Sequence, residues 1–263
     1  MTSVASNSFT ARLQASAKLH LAQLGLIVVL LALWQGAASA RLIEASLFGT
    51  PLGILAYLEE GIFVTGVIVV DAGWTLEAVI LAFLIGSCSA ILVGGIFARW
   101  PYVERLTDPI LSALNAMPRI ALAPMFIMWF GLGTGSKVAV GVSLTFFIVL
   151  SATVAGVRAA NADHLMLART LGAGPIKIFR TIVLPGAVPM VFAGLRLGLV
   201  YAMLGVVGSE IIASRNGLGQ EIAYLTSTFN IDGVMAIVFL LALAGYGVSH
   251  GMTRIERWLL RWQ

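Results

Sequence analysis

The chain has 263 residues, of which 59% are hydrophobic and only 11% are charged, and its mean hydropathy is +0.98. A soluble globular domain carries about 25% charged residues, so the composition excludes a soluble enzyme or binding domain and indicates a membrane protein. The formal net charge of +4 gives no indication of nucleic-acid binding. The single cysteine, Cys88, excludes an intrachain disulfide or a multi-cysteine metal site, and the three histidines are scattered.

Six apolar stretches are long enough to cross a bilayer, because a membrane-spanning helix needs roughly 20 residues. They predict an all-α membrane protein with about six transmembrane helices. Glycine, serine and proline occur inside several of them, which membrane helices tolerate and which permits close helix packing. The predicted spans are 20–40, 75–98, 110–130, 138–157, 187–212 and 233–253.

The first span, 20–40, follows a leader that contains Arg12 and Lys18. Together with Ala38-Ser39-Ala40, this pattern also resembles a signal peptide with its cleavage site. The leader is long and the apolar stretch fills a whole span, which favours a retained helix. We therefore expect a cytoplasmic tail over residues 1–19 and a single transmembrane domain over residues 20–263.

Residues 51–73 are apolar enough to compete as a seventh span, but Glu59 and Glu60 interrupt them. The uninterrupted run 62–70 is too short to cross the bilayer. We expect an external helix that lies on or near the membrane surface.

Two further external segments are predicted from turn residues. The run from Gly131 to Lys137 is rich in glycine but lacks the spacing of a P-loop, so we interpret it as a turn and expect no ATP site of that kind. Residues 213–232 contain Arg215-Asn216-Gly217-Leu218-Gly219, a turn signature that precedes a predicted short helix.

Arg119, Arg196 and Glu210 are charged residues that fall within predicted spans and could have a function there. Arg119 lies between Pro118 and Pro124, so an irregular helix is expected there, and Arg196 lies in the fifth span. An intramembrane charge is expensive and is a functional candidate by default. Either arginine could line a translocation path and attract an anionic solute, or it could be structural, through an ion pair or by reaching the interface. Glu210 is interpreted as a helix-end or interface residue.

The polar stretch 158–185 interrupts the apolar pattern between two spans. It has the local signals of two short helices: Asp163 can cap the first and Gly172 can end it. Pro175 suits the first turn of the second helix, and Pro185 is expected to stop it. A structured loop of this kind predicts a docking surface, and therefore a partner.

The distribution of basic residues predicts the orientation. With the N-terminus inside and six spans, eleven of the sixteen basic residues fall on inner segments and three on outer segments, which predicts that both termini are cytoplasmic. The inner residues are Arg12, Lys18, Arg99, Arg105, Arg158, Arg169, Lys177, Arg180, Arg254, Arg257 and Arg261, and the outer ones are Arg41, Lys137 and Arg215.

The loop between the fourth and fifth spans resembles the EAA motif of membrane subunits of bacterial ABC importers. That motif runs Glu-Ala-Ala, three residues, Gly, nine residues, Ile-x-Leu-Pro. Gly172, followed after nine residues by Ile182, Leu184 and Pro185, matches its second half, and Ala168 occupies the second alanine.

The first half of the motif departs from the pattern, with Met166 in place of Glu and Leu167 in place of Ala. Residues 105–133 are similar to a segment of permeases for nitrate, sulfonates and taurine, as are Gly194-Leu195-Arg196 and the stretch around Glu210. The similarity extends over about residues 75–260. It implies the type I ABC importer permease fold.

In that family the loop forms coupling helices that sit in a groove of a cytoplasmic ATPase, and a short amphipathic helix can do this by burying an apolar face. The resemblance implies two ATPase copies docked at residues 161–182, and ATP and Mg bound by the ATPase rather than by this chain. The implied coupling residues are Asp163, Leu165, Ala168, Leu171, Gly172, Ile176, Phe179, Ile182, Leu184 and Pro185.

The resemblance also implies a homodimer in the bacterial inner membrane, with an external solute-binding protein delivering solute to the surfaces 41–73 and 213–232. Much of the selectivity is expected in that binding protein. The predicted function is therefore the permease subunit of an ATP-driven importer for a small solute, with an anion such as a sulfonate, taurine or nitrate as the candidate. Arg119 and Arg196 are the candidate path residues.

Two other functions are weighed against this one. An ion-coupled secondary transporter would show internal repeats and ionisable residues near the midplane of the membrane. The sequence shows no convincing repeat between its halves and few acidic residues within the spans. A membrane-embedded enzyme is disfavoured because no polar constellation is clustered.

Overall fold

Long apolar helices dominate the computed structural model, which describes residues 3–259. The long helices are α1 (Ser3–Ser39), α4 (Val67–Arg99), α7 (Thr134–Arg158), α10 (Leu184–Ile212) and α12 (Ile231–Leu259). The shorter ones are α2 (Ala45–Phe48), α3 (Pro51–Glu59), α5 (Pro101–Ala116), α6 (Ala123–Phe130), α8 (Ala162–Thr170), α9 (Pro175–Ile178) and α11 (Leu218–Ser227). Five helices are long and apolar enough to cross a membrane, and α5 with α6 forms a bent pair that makes up to six. Within residues 3–259 there is no strand, so the all-α prediction of about six spans is confirmed.

The first helix is longer than the predicted span. Its membrane-length part is Leu21–Ser39, close to the predicted 20–40, but the helix already begins at Ser3. Residues 1–2 of the predicted tail and Arg261 of the charge count lie outside the described residues.

The third predicted span, 110–130, is wrong as a single straight helix. Helix α5 ends at Ala116, a 3-10 turn covers Arg119–Leu122, and the pair is bent by 83°. The break has a local cause, because the residue before a proline is driven out of the helical region, and Met117 before Pro118 is extended. The predicted irregularity around Arg119 is confirmed.

The second span begins earlier than the sequence predicted. Helix α3, capped by the Thr50 hydroxyl accepting from the Gly53 amide at 3.0 Å, runs into a π-helical turn over Glu60–Val64. Gly66, with φ +69°, reverses the chain and α4 starts at Val67. The expected external helix is therefore α3 with its π-helical turn, whereas residues 67–73 belong to the second span.

Helices α4, α7 and α10 form the centre of the bundle and pack closely through small residues. A Cβ added to Gly194 of α10 would lie 2.3 Å from the Cβ of Ala152, and one added to Gly94 of α4 would lie 2.5 Å from Thr153 Cγ2. These distances are too short for any side chain, so the glycines set the helix spacing. Gly94 and Gly194 therefore serve helix packing, whereas Gly95 faces open space.

Candidate coupling segment and translocation path

Helix α8 opens the predicted coupling loop, and Asn161 caps it. The Asn161 side-chain oxygen accepts a hydrogen bond from the Asp163 amide at 2.8 Å. The expectation that Asp163 is the cap is therefore wrong by two positions. Asp163 lies in the first turn instead, where its negative charge complements the positive end of the helix dipole.

The end of α8 has the geometry of a Schellman motif, as the glycine predicted. The Gly172 amide donates to the Arg169 carbonyl at 3.0 Å, and the Ala173 amide donates to the Ala168 carbonyl at 2.9 Å. Gly172 has φ +76°, and a Cβ added to it would meet nothing within 4 Å. The bend is thus fixed by backbone hydrogen bonds and left-handed backbone, with open space outside it.

The second short helix does not stop at Pro185, contrary to the sequence prediction. Pro175 occupies the first turn of α9, and α9 continues through a π-helical turn, Phe179–Val183, into α10. Pro185 lies in the first turn of α10, where a missing amide proton is tolerated. Residues 175–212 therefore form one helical stretch that joins the coupling loop directly to the fifth span.

Four large apolar side chains project from the coupling loop into open space. Met166, Leu167, Leu171 and Ile176, here called the coupling patch, are 72%, 59%, 77% and 71% exposed. Two of them are the positions that depart from the EAA motif. Among the predicted coupling residues, Asp163, Gly172, Phe179 and Leu184 are also exposed, whereas Leu165, Ala168, Ile182 and Pro185 are half-buried.

Arg119 lies where the bent pair breaks, against α7. Its guanidinium stacks over the Phe147 ring, 4.3 Å from the centroid, and donates to the Asn115 carbonyl oxygen at 2.9 Å and to the Asn115 side-chain oxygen. Its Nε is buried and has no hydrogen-bond partner among the described residues. Among the described residues no carboxylate pairs with Arg119, so its positive charge is not neutralised and can still attract an anion.

Arg196 is held differently. Its Nη1 lies 3.3 Å from Glu256 Oε2 and 3.3 Å from Thr253 Oγ1, both on α12. The ion pair links α10 to α12 and neutralises the charge. The structure therefore gives Arg196 a structural partner, in a different part of the bundle from the Phe147 contact of Arg119.

A buried ion pair that the sequence reasoning missed joins α7 to α10. Lys137 Nζ donates to Glu210 Oε1 at 2.9 Å, and the two side chains are only 4% and 0% exposed. The Thr75 hydroxyl of α4 also donates to Glu210, at 2.9 Å to Oε2. Lys137 thus lies buried in the first turn of α7 rather than in a loop, and Glu210 lies in the last turn of α10, at the helix end as expected, but buried. The available signal was a lysine and a glutamate, each inside an otherwise apolar run.

The same ion pair holds down the segment that follows α10. Glu210 Oε2 accepts from the Gly219 amide at 2.9 Å, and Lys137 Nζ donates to the Asn216 carbonyl at 2.5 Å. A Cβ on Gly217, which has φ +114°, would lie 2.1 Å from Glu210 Oε1. Glycine is required there because the backbone passes directly over the carboxylate.

Helices α3 and α11 and the loop 213–217, here called the outer platform, are tied together by further polar contacts. Asp232 at the start of α12 accepts from the Thr50 amide at 2.6 Å, and the Tyr57 hydroxyl donates to Glu221 Oε1 at 2.9 Å. Burial and the Glu221 hydrogen bond raise the pKa of Tyr57, so the phenol stays protonated and donates. The predicted short helix after the turn signature is α11.

Metal binding finds no support in the described part of the chain. No group of three or more histidine, cysteine, aspartate or glutamate side chains is arranged there to hold a metal ion.

Comparison with known proteins gives one family and a consistent set of relatives. The model of the family described as "Binding-protein-dependent transport system inner membrane component" matches residues 86–262. The chain is 31% identical over 244 residues to the formylaminopyrimidine transport permease protein ThiX of Halalkalibacterium halodurans, covering 90% of this chain and 93% of that protein. It is 28% identical over 244 residues to the taurine transport system permease protein TauC of Escherichia coli, covering 91% of this chain and 88% of that protein.

Solved structures show the same fold at low sequence identity. An inward-facing conformation of the MetNI methionine ABC transporter superposes with a TM-score of 0.65 at 17% identity, covering 73% of this chain and 96% of that chain. An amino acid ABC transporter crystallised with histidines superposes with a TM-score of 0.63 at 16% identity, covering 78% of this chain and 97% of that chain. The predicted type I ABC importer permease fold is confirmed.

Proposed function

This chain belongs to the family of binding-protein-dependent transport system inner membrane components, and we propose that, as the permease subunit of an ABC importer, it carries a small anionic solute across the bacterial inner membrane. A sulfonate, taurine or nitrate is the candidate cargo, and the taurine permease among the relatives supports that class. Arg119, whose charge is not paired with a carboxylate among the described residues, is the candidate path residue that attracts the anion. Arg196 is the weaker candidate because its charge is already paired.

The coupling patch is the observation that carries the proposal. Burying one large apolar side chain contributes about 1.5–3 kcal/mol, so four of them exposed on one loop favour a protein partner with a groove. The proposed partner is a cytoplasmic ABC ATPase that binds ATP and Mg. Two copies would dock, one on each chain of a homodimer whose interface holds the path.

The continuity of the helices supports a route for mechanical coupling. Helix α7 ends at Arg158, three residues before Asn161 caps α8, and α9 continues into α10 without a break. A displacement of the coupling loop would therefore move the fourth and fifth spans together. ATP binding would close the ATPases and turn the path outward, and hydrolysis would reset it.

The orientation that the basic residues predict supports a division of labour between the two faces. With both termini in the cytoplasm, α8 and α9 face the ATPase and the outer platform faces outward. An external solute-binding protein would dock on the surfaces 41–73 and 213–232, which include the outer platform.

The docking proposal is tested with two matched substitutions of exposed leucines. Leu171→Asp places a charge in the coupling patch, whereas Leu42→Asp makes the same change at a leucine that is 80% exposed in the turn after α1. We expect Leu171→Asp to reduce co-purification with the ATPase roughly tenfold or more. The substitution removes an apolar contact that docking would bury, and it places a charge that would lose its hydration in the interface. Leu42→Asp should leave co-purification unchanged.

The energy source is tested in proteoliposomes that contain the permease, the ATPase and the binding protein. Uptake of taurine should require ATP on the side of the membrane where the ATPase is bound. It should not depend on an ion gradient. Uptake driven by an ion gradient in vesicles that lack the ATPase would contradict the proposal and favour a secondary transporter.

A further inference from the structure

The turn between α11 and α12 contains a residue whose backbone conformation does not suit its side chain. Phe229 has φ +57°, and among residues 3–259 the only other non-glycine residue with a positive φ is Arg41. In the left-handed region the Cβ crowds the following carbonyl oxygen, so a bulky residue is an outlier there. Such a residue persists only where the surrounding structure forces it, and such residues cluster at functional sites.

The turn has the same hydrogen bonds as the end of α8. The Phe229 amide donates to the Thr226 carbonyl at 3.2 Å, and the Asn230 amide donates to the Leu225 carbonyl at 2.9 Å. This is again a Schellman motif, in which Phe229 has the position that Gly172 has after α8. Because glycine suits that position best, the need to end the helix does not explain a phenylalanine there.

The Phe229 ring contributes little to the packing of the fold, because the side chain is 79% exposed. The backbone on both sides of it is fixed by other residues. Leu225, before the turn, is only 3% exposed and packs in a hydrophobic cluster. Asn230, after the turn, caps α12 by accepting a hydrogen bond from the Gly233 amide at 3.0 Å. The ring therefore projects from a rigid support, which lowers the entropic cost of binding a partner.

The surroundings of Phe229 are polar. Residues 226–228 and 230 are serine, threonine or asparagine, and all four are exposed. The membrane-length part of α12 begins only at Ile231, so the ring lies beyond the outer end of that span. Exposed polar side chains and a non-helical backbone do not occur in the hydrocarbon of a bilayer, so this turn lies in water. Aromatic residues exposed to water in this way are enriched at protein interfaces.

We propose that Phe229 anchors the external solute-binding protein to this chain, with its ring inserted into a pocket on that protein. This inference rests on the proposed function. The description of the family itself names a binding protein on which transport depends. The turn follows α11 directly and is therefore continuous with the outer platform, on the face opposite to the coupling patch.

The test measures how tightly the transporter's own solute-binding protein binds the nanodisc-embedded complex of permease and ATPase on a biosensor surface. We expect Phe229→Gly to weaken binding roughly thirtyfold, which is the size of effect expected when an aromatic hot spot is truncated. Phe229→Trp keeps a large ring and should retain most of the affinity.

The thermal stability of the same variants separates an anchor from a structural residue. Phe229→Gly places glycine in a left-handed conformation, so its midpoint of thermal unfolding should equal or exceed that of the wild type. A residue with a merely structural role would lose stability and binding together. The matched control pair is Phe229→Ala and Phe239→Ala, since Phe239 is 49% exposed within the span of α12. Only the first of these should weaken binding.

A fluorescent probe at the same position identifies what covers the ring. Phe229→Cys in a Cys88→Ser background is labelled with acrylodan, whose emission moves to shorter wavelengths in apolar surroundings. We expect emission typical of water in the nanodisc complex and a shift to shorter wavelengths when the solute-binding protein is added. Short-wavelength emission before that addition would mean that lipid or the second copy of the chain covers the position, and it would overturn the proposal.

The possible outcomes separate this inference from the proposed function. An unchanged affinity in Phe229→Gly would overturn the anchor even where ATP-driven uptake is intact. A variant that loses both thermal stability and binding would also overturn it, because the residue would then be structural. Uptake that does not require ATP, with the effect of Phe229→Gly on binding still present, would count against the proposed function instead.

Discussion

The outer platform and the coupling loop are held by opposite means. Hydrogen bonds to buried or half-buried carboxylates stabilise the outer platform. Glu210 accepts from Lys137, Thr75 and Gly219. Asp232 accepts from the Thr50 amide. In the coupling loop, a backbone motif and an asparagine cap fix the shape, and the large apolar side chains of the coupling patch point into open space.

The difference indicates which side is complete without a partner. A buried polar network with its groups paired is rigid, so the platform keeps its shape without a partner, even though Leu52 and Leu55 of α3 and Tyr224 of α11 are exposed. An exposed apolar patch on a loop of defined shape gains stability when a partner covers it. The platform thus presents a preformed surface. The coupling loop, in contrast, presents an apolar surface that a partner protein is needed to cover.

The largest expected effect comes from breaking the buried ion pair. Lys137→Met should destabilise the protein by about 3–5 kcal/mol, because it leaves the Glu210 carboxylate buried without its cation. The loss is measured as a lower fraction of SDS at which the protein loses its helicity in mixed micelles.

The double variant Lys137→Met with Glu210→Gln serves as the control. The glutamine retains a side-chain oxygen for Thr75 and Gly219 but removes the uncompensated charge, so we expect it to recover a large part of the loss. Losses that simply add in the double variant would show that the two side chains are not coupled.

Much of the fold could be predicted because its signals are local. A run of apolar residues long enough to span a membrane marks each crossing, and Gly172 and Pro175 mark the bend and the second short helix through their own backbone preferences. The prediction that Pro185 ends the second short helix was wrong. A proline need not end a helix: here Pro185 follows the π-helical turn Phe179–Val183 and lies in the first turn of α10, where its missing amide proton is tolerated.

The polar contacts could not be predicted, because they join residues far apart in the sequence. Lys137 and Glu210 are separated by 73 positions, and Glu104 and Arg158 by 54. No spacing rule links such pairs, and only the packing of α7 against α10 and α5 brings them together. The isolated charges in apolar runs were visible, but the identity of each partner was not.

The next largest effect concerns the attachment of α3 to α12. Asp232→Ala removes the acceptor of the Thr50 amide, and a hydrogen bond to a charged group contributes about 1.5–3 kcal/mol. Amide hydrogen exchange in residues 51–59 should accelerate accordingly. Asp163→Ala, which removes an aspartate from the opposite face of the proposed topology, should leave exchange in α3 unchanged; faster exchange in both variants would mean that Asp232 has no specific role.

A smaller effect on folding, but a clear effect on docking, is expected at the bend of the coupling loop. Gly172→Trp forces a left-handed backbone on a bulky residue, a strain of about 1–2 kcal/mol, and places the indole in the space that the ATPase would occupy. Membrane insertion should be normal, whereas co-purification with the ATPase should be lost.

The control at the same position is Gly172→Asn, because asparagine tolerates the left-handed region and is small. It should retain more of the ATPase than Gly172→Trp does. If the tryptophan variant retained the ATPase at the wild-type level, the bend would lie outside the docking surface.

The smallest effect tests one contact inside the outer platform. Tyr57→Phe removes the hydroxyl that donates to Glu221, which should destabilise α3 by about 1 kcal/mol near neutral pH. Because the folded protein raises the pKa of Tyr57 above the ordinary 10.0, it holds the phenolic proton more tightly than the unfolded chain does. The contribution of this contact is therefore complete below pH 10 and declines as the pH rises beyond it. The difference in thermal stability between wild type and Tyr57→Phe should become smaller above that pH. A difference that stays constant would show that the hydrogen bond to Glu221 is not its cause.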